Sequence, residues 1–184
     1  ISAEPIGSDD YYRYLWDGKV QSNGINPYLY APDNQTLNPF HSELLPEKVS
    51  YPQIRTIYFP VSQFVFTLAY SISGENAIGL KIILLLAELL ILISLNYLLK
   101  RHSMDLKYIL VYAVLPLVFF QFFIDAHVDL TGVALMLASI TLYFYDKKIF
   151  SYLLLGLSIS VKPTGLLLIP FLFQNEQKFI EKIK

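Results

Sequence analysis

Residues 78–99 read IGLKIILLLAELLILISLNYLL and decide the class of fold. A transmembrane helix needs about 20 consecutive, mostly apolar residues. This run is long enough, and Lys81 and Glu88 are the only charged residues in it. Because they are seven residues apart, they lie on one helix face. We interpret them as polar contacts inside a bundle, and the run predicts a membrane helix.

The composition of the whole chain agrees with a membrane protein. Hydrophobic residues make up 54% and charged residues 16% of the sequence, against about 25% charged in ordinary soluble domains. The net charge of −1 gives no reason to expect a nucleic-acid partner. The absence of cysteine excludes disulfides and thiolate chemistry. Since residue 1 is Ile, we expect a fragment of a longer protein that lacks an N-terminal span.

Further apolar runs follow residue 99 and predict an all-α, polytopic transmembrane helical bundle with broken or re-entrant helices. Pro116 is expected to kink the second span, and the last apolar run is expected to break at Lys162-Pro163. The predicted domains are an extracytoplasmic loop at 1–77, membrane helices at 78–173 (about 78–99, 108–124, 128–145 and 150–173) and a basic cytoplasmic segment at 174–184.

The first block is polar and aromatic, and we predict a helical extracytoplasmic loop. Ser8 is a plausible N-cap for a helix that runs to about Gln21. Residues 26–51 are rich in Pro, Asn, Asp and Ser and indicate a loop. The apolar run 57–73 is interrupted by polar residues, so an interfacial helix is favoured over a marginal span.

Basic connectors fix the expected orientation through the positive-inside rule. The connector at 100–107 contains Lys100, Arg101 and Lys107, and the next contains Lys147 and Lys148. Two predicted spans separate them, so both connectors lie on the cytoplasmic side. The motif DAHVD at 125–129 then lies on the opposite side, together with the first block.

The run 150–173 has two interpretations. The basic segment after it suggests a return to the cytoplasm, yet two full spans need about 40 apolar residues. A pair of short helices that enter and leave on one side solves this and is favoured. The alternative is one tilted span through Lys162 with the basic tail outside.

Acidic residues in the first block are candidates for catalysis. Asp10, Tyr14 and Asp17 have the spacing of one helical face. A carboxylate here could act as a general base, or Asp9 and Asp10 could hold a divalent cation such as Mg or Mn. The competing interpretation is that Asp9 and Asp10 only complement the helix dipole.

A second polar cluster is formed by Asp125, His127 and Asp129, between two predicted spans. Ionisable groups so close to lipid are costly and tend to be functional, so this cluster is expected to bind a phosphate or a sugar hydroxyl, or to complete a metal site. Lys162 is either a phosphate ligand or a snorkelling lysine. The remaining substrate-binding candidates are Asp17, the phosphate ligands Arg13 and Arg55, and Tyr58 as a ring for sugar stacking.

Four blocks together resemble a polytopic GT-C glycosyltransferase, closest to bacterial family-87-type and mannosyltransferase-like membrane proteins. The blocks are SDDYYRYLWDGKVQSNGINPYLYAP, TIYFPVSQFVFTL, DAHVDLTGVALML and GLSISVKPTGLLLIPFL. The resemblance implies inverting transfer of a hexose such as mannose from a polyprenyl-phosphate donor to a glycan, lipid or protein acceptor. It also implies a bacterial inner-membrane location, an extracytoplasmic active site and an Asp base in the first loop. Asp10 is the first choice for that base and Asp9 the second.

Two other classes of function remain open from the residues. A membrane transporter would also have broken helices and intramembrane charge, but it is expected to show an internal repeat, and none is seen. A non-catalytic membrane scaffold would explain the spans but not two polar clusters on one face.

Overall fold

A computed structural model of the chain describes residues 6–172, and this part is all-α. Eight helices follow one another in it: α1 Asp10–Ser22, α2 Pro60–Ser73, α3 Ile78–Arg101, α4 Tyr108–Ala113, α5 Pro116–Ile124, α6 Asp129–Phe144, α7 Lys148–Ile159 and α8 Pro163–Leu172. A 3₁₀ turn, Gln35–Phe40, lies in the loop between α1 and α2. The predicted basic segment 174–184 lies outside the described residues.

The packing order places the polar block directly on the apolar helices. Helix α1 packs on α2, α2 on α3, α3 on α6 and α6 on α7. The core of this stack includes Trp16, Phe66 and Leu84, all of them fully buried. The first block is therefore fixed to the membrane helices through α2.

Local interactions explain where helix α1 begins and ends. The Ser8 hydroxyl accepts a hydrogen bond from the Asp10 backbone N–H at 3.2 Å, and Asp10 places a negative charge in the first turn, where the helix dipole favours it. At the other end Gly24 has a φ of +79°, a conformation that glycine adopts without steric cost.

Helix α3 is the one helix of the described residues that is long and apolar enough to cross a membrane alone, with 24 residues and a mean hydropathy of 2.6. If α5 and α6 count as a single bent span, the described residues hold two. Helix α2 has 14 residues and lies against α1 and α3. Its close approach to α3 depends on Gly79, where an added Cβ would lie 2.2 Å from the Ala69 carbonyl oxygen.

The predicted second span, 108–124, differs in the structure. Instead of one kinked helix, the chain forms α4, breaks before Pro116, and continues as α5, whose last part Phe119–Ile124 is a π-helix. Proline has no N–H to donate and its ring clashes with the carbonyl four residues earlier, so the helix ends rather than bends. The axes of α5 and α6 then differ by 120°.

Helices α6 and α7 form an antiparallel hairpin held by small and hydroxyl side chains. Ser139 and Ser151 exchange hydrogen bonds with each other's carbonyl oxygens at 2.8 Å, and the Ser158 hydroxyl donates to the Gly132 carbonyl at 2.8 Å. Small residues let two helix backbones approach closely in a membrane. The hairpin therefore brings the end of α7 level with the start of α6.

The chain breaks between α7 and α8. The carbonyl oxygens left free at the end of α7 accept hydrogen bonds from the start of α2: Val61 N–H donates to Ser160 at 3.2 Å and the Ser62 hydroxyl donates to Val161 at 3.1 Å. After Pro163, Gly165 lies so close to α7 that an added Cβ would be 3.0 Å from the Ile159 side chain. Helix α8 thus folds back against the last turn of α7.

Candidate active site

The N-terminus of α1 directs two consecutive acids into two different cavities. Asp10 lines a cavity of about 320 Å³ together with Arg13, Arg55 and Tyr58. Asp9 lines a second cavity of about 470 Å³, with Glu47 on its wall. Consecutive helical residues point about 100° apart, so the two carboxylates serve separate spaces.

The structure brings the two polar clusters of the sequence together. The Asp10 carboxylate lies 3.8 Å from His127 Nδ1, with 46% of the Asp10 side chain and 18% of the His127 side chain exposed. The orientation argument placed both clusters on one side of the membrane, and here they are in contact. The chemical roles of Asp10 and His127 stay predictions.

Asp125 is an anchor for the segment that leads into α1. Its carboxylate accepts the backbone N–H groups of Gly7 at 2.8 Å and Ile6 at 3.3 Å, and it interacts electrostatically with the fully buried Lys81. A Cβ at residue 7 would lie 2.7 Å from Asp125 Oδ2, so glycine is required for this approach. Asp125 is itself buried, which argues against direct contact with a substrate.

Asp129 and Lys162 form an ion pair at the same end of the molecule. Asp129 opens α6 and Lys162 follows α7, and the two side chains are 37% and 50% exposed. The pair therefore connects the start of α6 to the segment after α7, at the open end of the α6–α7 hairpin. Neither residue lines the 320 Å³ or the 470 Å³ cavity.

The 320 Å³ cavity combines one acid with two guanidinium groups. Arg13 is buried, its Nε donates to Asp17 at 2.9 Å, and its Nη2 has no hydrogen-bond partner among the described residues. Arg55 is exposed and lines the same cavity, and Ile54 and Ile57 give it an apolar, exposed edge. Buried polar groups in proteins are nearly always satisfied, so this Arg13 nitrogen is an exception beside the cavity that Arg13 lines.

Asp17 occupies a different environment from Asp10, although both have the spacing of one helical face. Its side chain is fully buried and accepts hydrogen bonds from Arg13 and, at 2.8 Å, from Gln63 of α2. Burial raises the pKa of Asp17, and the neighbouring Arg13 guanidinium opposes that rise. Asp17 therefore positions Arg13 and does not itself face either cavity, in contrast to its predicted role as a substrate ligand.

Tyr14 and Tyr58 form a neutral hydrogen-bonded pair beside Asp10. Burial raises the pKa of Tyr14 far above its ordinary value, and the nearby Tyr58 and Asp10 raise it further. Burial, followed by the Asp10 charge, raises the pKa of Tyr58 to about 12. Both phenols stay protonated at physiological pH and can only donate or accept hydrogen bonds, and Asp10 supplies the carboxylate of this cavity.

The residues do not fit a divalent cation shared by Asp9 and Asp10. Across residues 6–172 no three His, Asp or Glu side chains converge as metal ligands, and the two carboxylates line separate cavities. The structure also adds wall residues that the sequence did not suggest, namely Tyr12, Glu47, Lys48 and Ser50. Glu47, Lys48 and Ser50 lie on an irregular loop, where no periodic signal marks them, and Tyr12 is the third residue of α1.

Comparison with known proteins gives the family. Residues 1–175 match the family model described as alpha-(1->6)-mannopyranosyltransferase, N-terminal domain, of the MptA/B family. Comparisons with curated proteins and with solved structures found no significant match. This match confirms the resemblance to GT-C glycosyltransferases and the assignment to membrane hexosyltransferases. The chain belongs to the MptA/B family of alpha-(1->6)-mannopyranosyltransferases and corresponds to the N-terminal domain of that family.

Proposed function

We propose that the protein transfers mannose, with inversion, from a polyprenyl-phosphate mannose to the hydroxyl of an extracytoplasmic acceptor, and that Asp10 is the general base. The observation that carries this proposal is one cavity lined by Asp10, Arg13 and Arg55. An acid for the acceptor proton and cations for a leaving phosphate are the minimum for this reaction. The family, a mannosyltransferase family that uses such donors, supports the choice of donor and sugar.

In this proposal the general base is Asp10 rather than Asp9. Asp10 shares its cavity with both arginines, while Asp9 lines the other cavity. With 46% of its side chain exposed, the Asp10 carboxylate is accessible to a substrate hydroxyl. His127, at 3.8 Å, is placed to hold this carboxylate in position.

The leaving phosphate is assigned to the two arginines. Arg13 offers a buried Nη2 with no partner in the described part of the chain, and guanidinium groups bind phosphate oxygens through paired hydrogen bonds. The exposed Ile54 and Ile57 at the same cavity suit the start of a prenyl chain. Lys162, the first candidate for the phosphate, is paired with Asp129 instead.

The transfer balances without a further reactant. The acceptor oxygen attacks the anomeric carbon while its proton passes to the Asp10 carboxylate. The bond between the anomeric carbon and the phosphate oxygen breaks, and its electron pair leaves with the polyprenyl phosphate. Since the product linkage of the family is α, inversion requires a β-linked donor.

The test is transfer of labelled mannose from polyprenyl-phosphate mannose by the full chain in membranes. Asp10→Asn is expected to lower the rate by about 10²- to 10⁴-fold, the usual contribution of a general base. The exposed control Asp33→Asn is expected to stay near wild type, and Asp9→Asn is expected to lose far less activity than Asp10→Asn, at equal levels of inserted protein. A β-linked donor should react and an α-linked donor should not. If Asp10→Asn keeps the wild-type rate, Asp10 is not the base, and reaction of the α-linked donor would refute inversion.

A further inference from the structure

The cavity on the other side of the α1 N-terminus has no role in the proposed transfer so far. It is an open surface cleft of about 470 Å³, and a volume of this size can hold a small molecule. Its lining consists of Asp9, Tyr12, Glu47, Lys48, Val49 and Ser50. Five of these six residues carry a hydrogen-bonding side chain, which suits a ligand with many hydroxyl groups.

The two cavities differ in charge and in apolar surface. The 320 Å³ cavity is lined by two arginines and one carboxylate, and the buried Asp17 balances the charge of Arg13 from behind. The 470 Å³ cavity is lined by two carboxylates and one lysine, so it is the more acidic of the two. The 320 Å³ cavity also has the isoleucine edge. An anionic prenyl-linked donor therefore favours the first cavity, and a neutral polar molecule is the better fit for the second.

The two cavities meet at one residue. Ser50 lines both of them, and the consecutive acids Asp9 and Asp10 line one each. A transfer between two substrates gains most of its rate from holding both in contact at the reacting atoms. Two cavities with a common wall beside the candidate base have this arrangement.

The walls of the 470 Å³ cavity are held in place before any ligand arrives. Val49 is buried, and its backbone N–H donates to the Pro46 carbonyl at 2.9 Å, so the turn that carries Glu47 is anchored. On the α1 side, the Lys48 ammonium donates to the Tyr12 hydroxyl at 3.3 Å and lies 5.3 Å from the centre of the Tyr12 ring. A preformed site costs less to occupy.

From this arrangement we infer that the 470 Å³ cavity is the acceptor subsite and binds a neutral carbohydrate. The inference rests on the proposed function and deepens it. The Asp9 and Glu47 carboxylates accept hydrogen bonds from the sugar hydroxyls, and Lys48 donates one. The reacting hydroxyl extends past Ser50 to Asp10, where the proton is taken.

Binding in the absence of donor tests the inference. The full chain in lipid nanodiscs is titrated with the methyl glycoside of α(1→6)-linked mannobiose, followed by saturation-transfer NMR. Glu47→Gln is expected to weaken binding about tenfold, the effect of removing a charged hydrogen-bond partner. Glu43→Gln, an exposed acid on the same loop that lines neither cavity, is the matched control and should bind as wild type does. Arg55→Gln should also leave mannoside binding unchanged.

The transfer assay separates the two substrates. Glu47→Gln should raise the KM for the mannoside and leave the KM for the donor unchanged, and Arg55→Gln should do the reverse. The inference is overturned if wild type binds no mannoside, or if Glu47→Gln binds it as tightly as Glu43→Gln does. Failure of the proposed function looks different: wild type then binds the mannoside but transfers nothing to it from either anomer of the donor.

Discussion

Helix α1 carries two acids, Asp10 in its first turn and Asp17 in its second half. Their spacing predicts one helical face, but their surroundings are opposite. The Asp10 side chain is 46% exposed and opens on a cavity, whereas Asp17 is 1% exposed and enclosed by Arg13, Gln63 and Thr56. The difference in exposure between Asp10 and Asp17 follows from the segments that pack on each part of the helix. Loops surround its first turn, while α2 lies across its last turns through Gly18, where an added Cβ would be 2.3 Å from the Phe66 carbonyl oxygen.

The comparison teaches how one helix supports both chemistry and rigidity. The buried end fixes the helix on α2, and through the Arg13–Asp17 pair it also fixes a guanidinium that faces the cavity at the open end. The open end keeps its acids available. We therefore expect changes at one end to reduce activity without unfolding, and changes at the other end to reduce stability.

Asp17→Ala tests this division with the largest expected effect on stability. It leaves the Arg13 guanidinium buried without its partner, and breaking a buried pair in this way typically costs about 3–5 kcal/mol. The free energy of unfolding, measured by denaturant titration in detergent, should fall by that amount. Asp10→Ala, at the exposed end, should change it by less than about 0.5 kcal/mol. Similar losses for both variants would abolish the distinction between the two ends.

Gly18→Ala tests the contact that covers the buried end. The new Cβ would meet the Phe66 backbone carbonyl at 2.3 Å, and a backbone atom cannot move aside cheaply. Overpacking of this kind costs about 1–3 kcal/mol. Gly156→Ala is the matched control because no atom lies within 4 Å of its Cβ position. Equal melting temperatures for Gly18→Ala and wild type would show that α2 does not hold α1 at this point.

Tyr14→Phe tests the middle of the helix. It removes a buried hydroxyl that hydrogen-bonds with Tyr58, and a typical net loss for one such bond is about 1 kcal/mol. The exposed Tyr108→Phe serves as the comparison. Because burial keeps the Tyr14 pKa far above its ordinary value, the stability difference should be constant from pH 6 to pH 9. A difference that disappears across that range would contradict the assigned protonation state.

Glu75→Gln has the smallest expected effect. Glu75 accepts a hydrogen bond from Lys19 at 2.6 Å and one from Ser42 at 2.7 Å, and a partly exposed pair contributes about 0.2–1 kcal/mol. Burial alone would raise the pKa of Glu75, but these bonds outweigh it and hold the pKa below its usual value of 4.5. The contribution is therefore complete above pH 4.5 and is lost as the pH falls through the lowered pKa of the folded state. Unfolding curves at pH 7 and pH 3.5 should show the difference shrinking, and the exposed Glu43→Gln should show none at either pH.

Local sequence was enough to predict several elements of the fold. The apolar run at 78–99 is inside α3, which extends to Arg101. An apolar run of this length is expected to form a helix in a membrane because its backbone N–H and C=O groups must be paired within the run. The break between α7 and α8 falls at Lys162-Pro163 because proline at this point cannot continue the helix. The same property at Pro116 was expected to give a kink, and the structure has a complete break there.

The candidate site could be predicted only in part, because its shape comes from tertiary contacts. The burial of Asp17 depends on Gln63, 46 residues later. Which of Asp9 and Asp10 faces the arginines depends on how far α1 is rotated on α2, and no spacing rule gives that rotation. The walls contributed by Glu47 and Ser50 lie in a loop without period, whose course is fixed by buried side chains such as Leu45 and Val49.

The hydrogen bond between Gly7 and Asp125 has a consequence for the biogenesis of the protein. These residues are 118 positions apart, and α3, which is long and apolar enough to cross a membrane, is made between them. At about 5–20 residues per second, synthesis leaves the first block without its anchor for roughly 6–24 s. During that time the residues of α1 exist without Asp125 and His127. The contact between Asp10 and His127 therefore forms only after α3 has been synthesised.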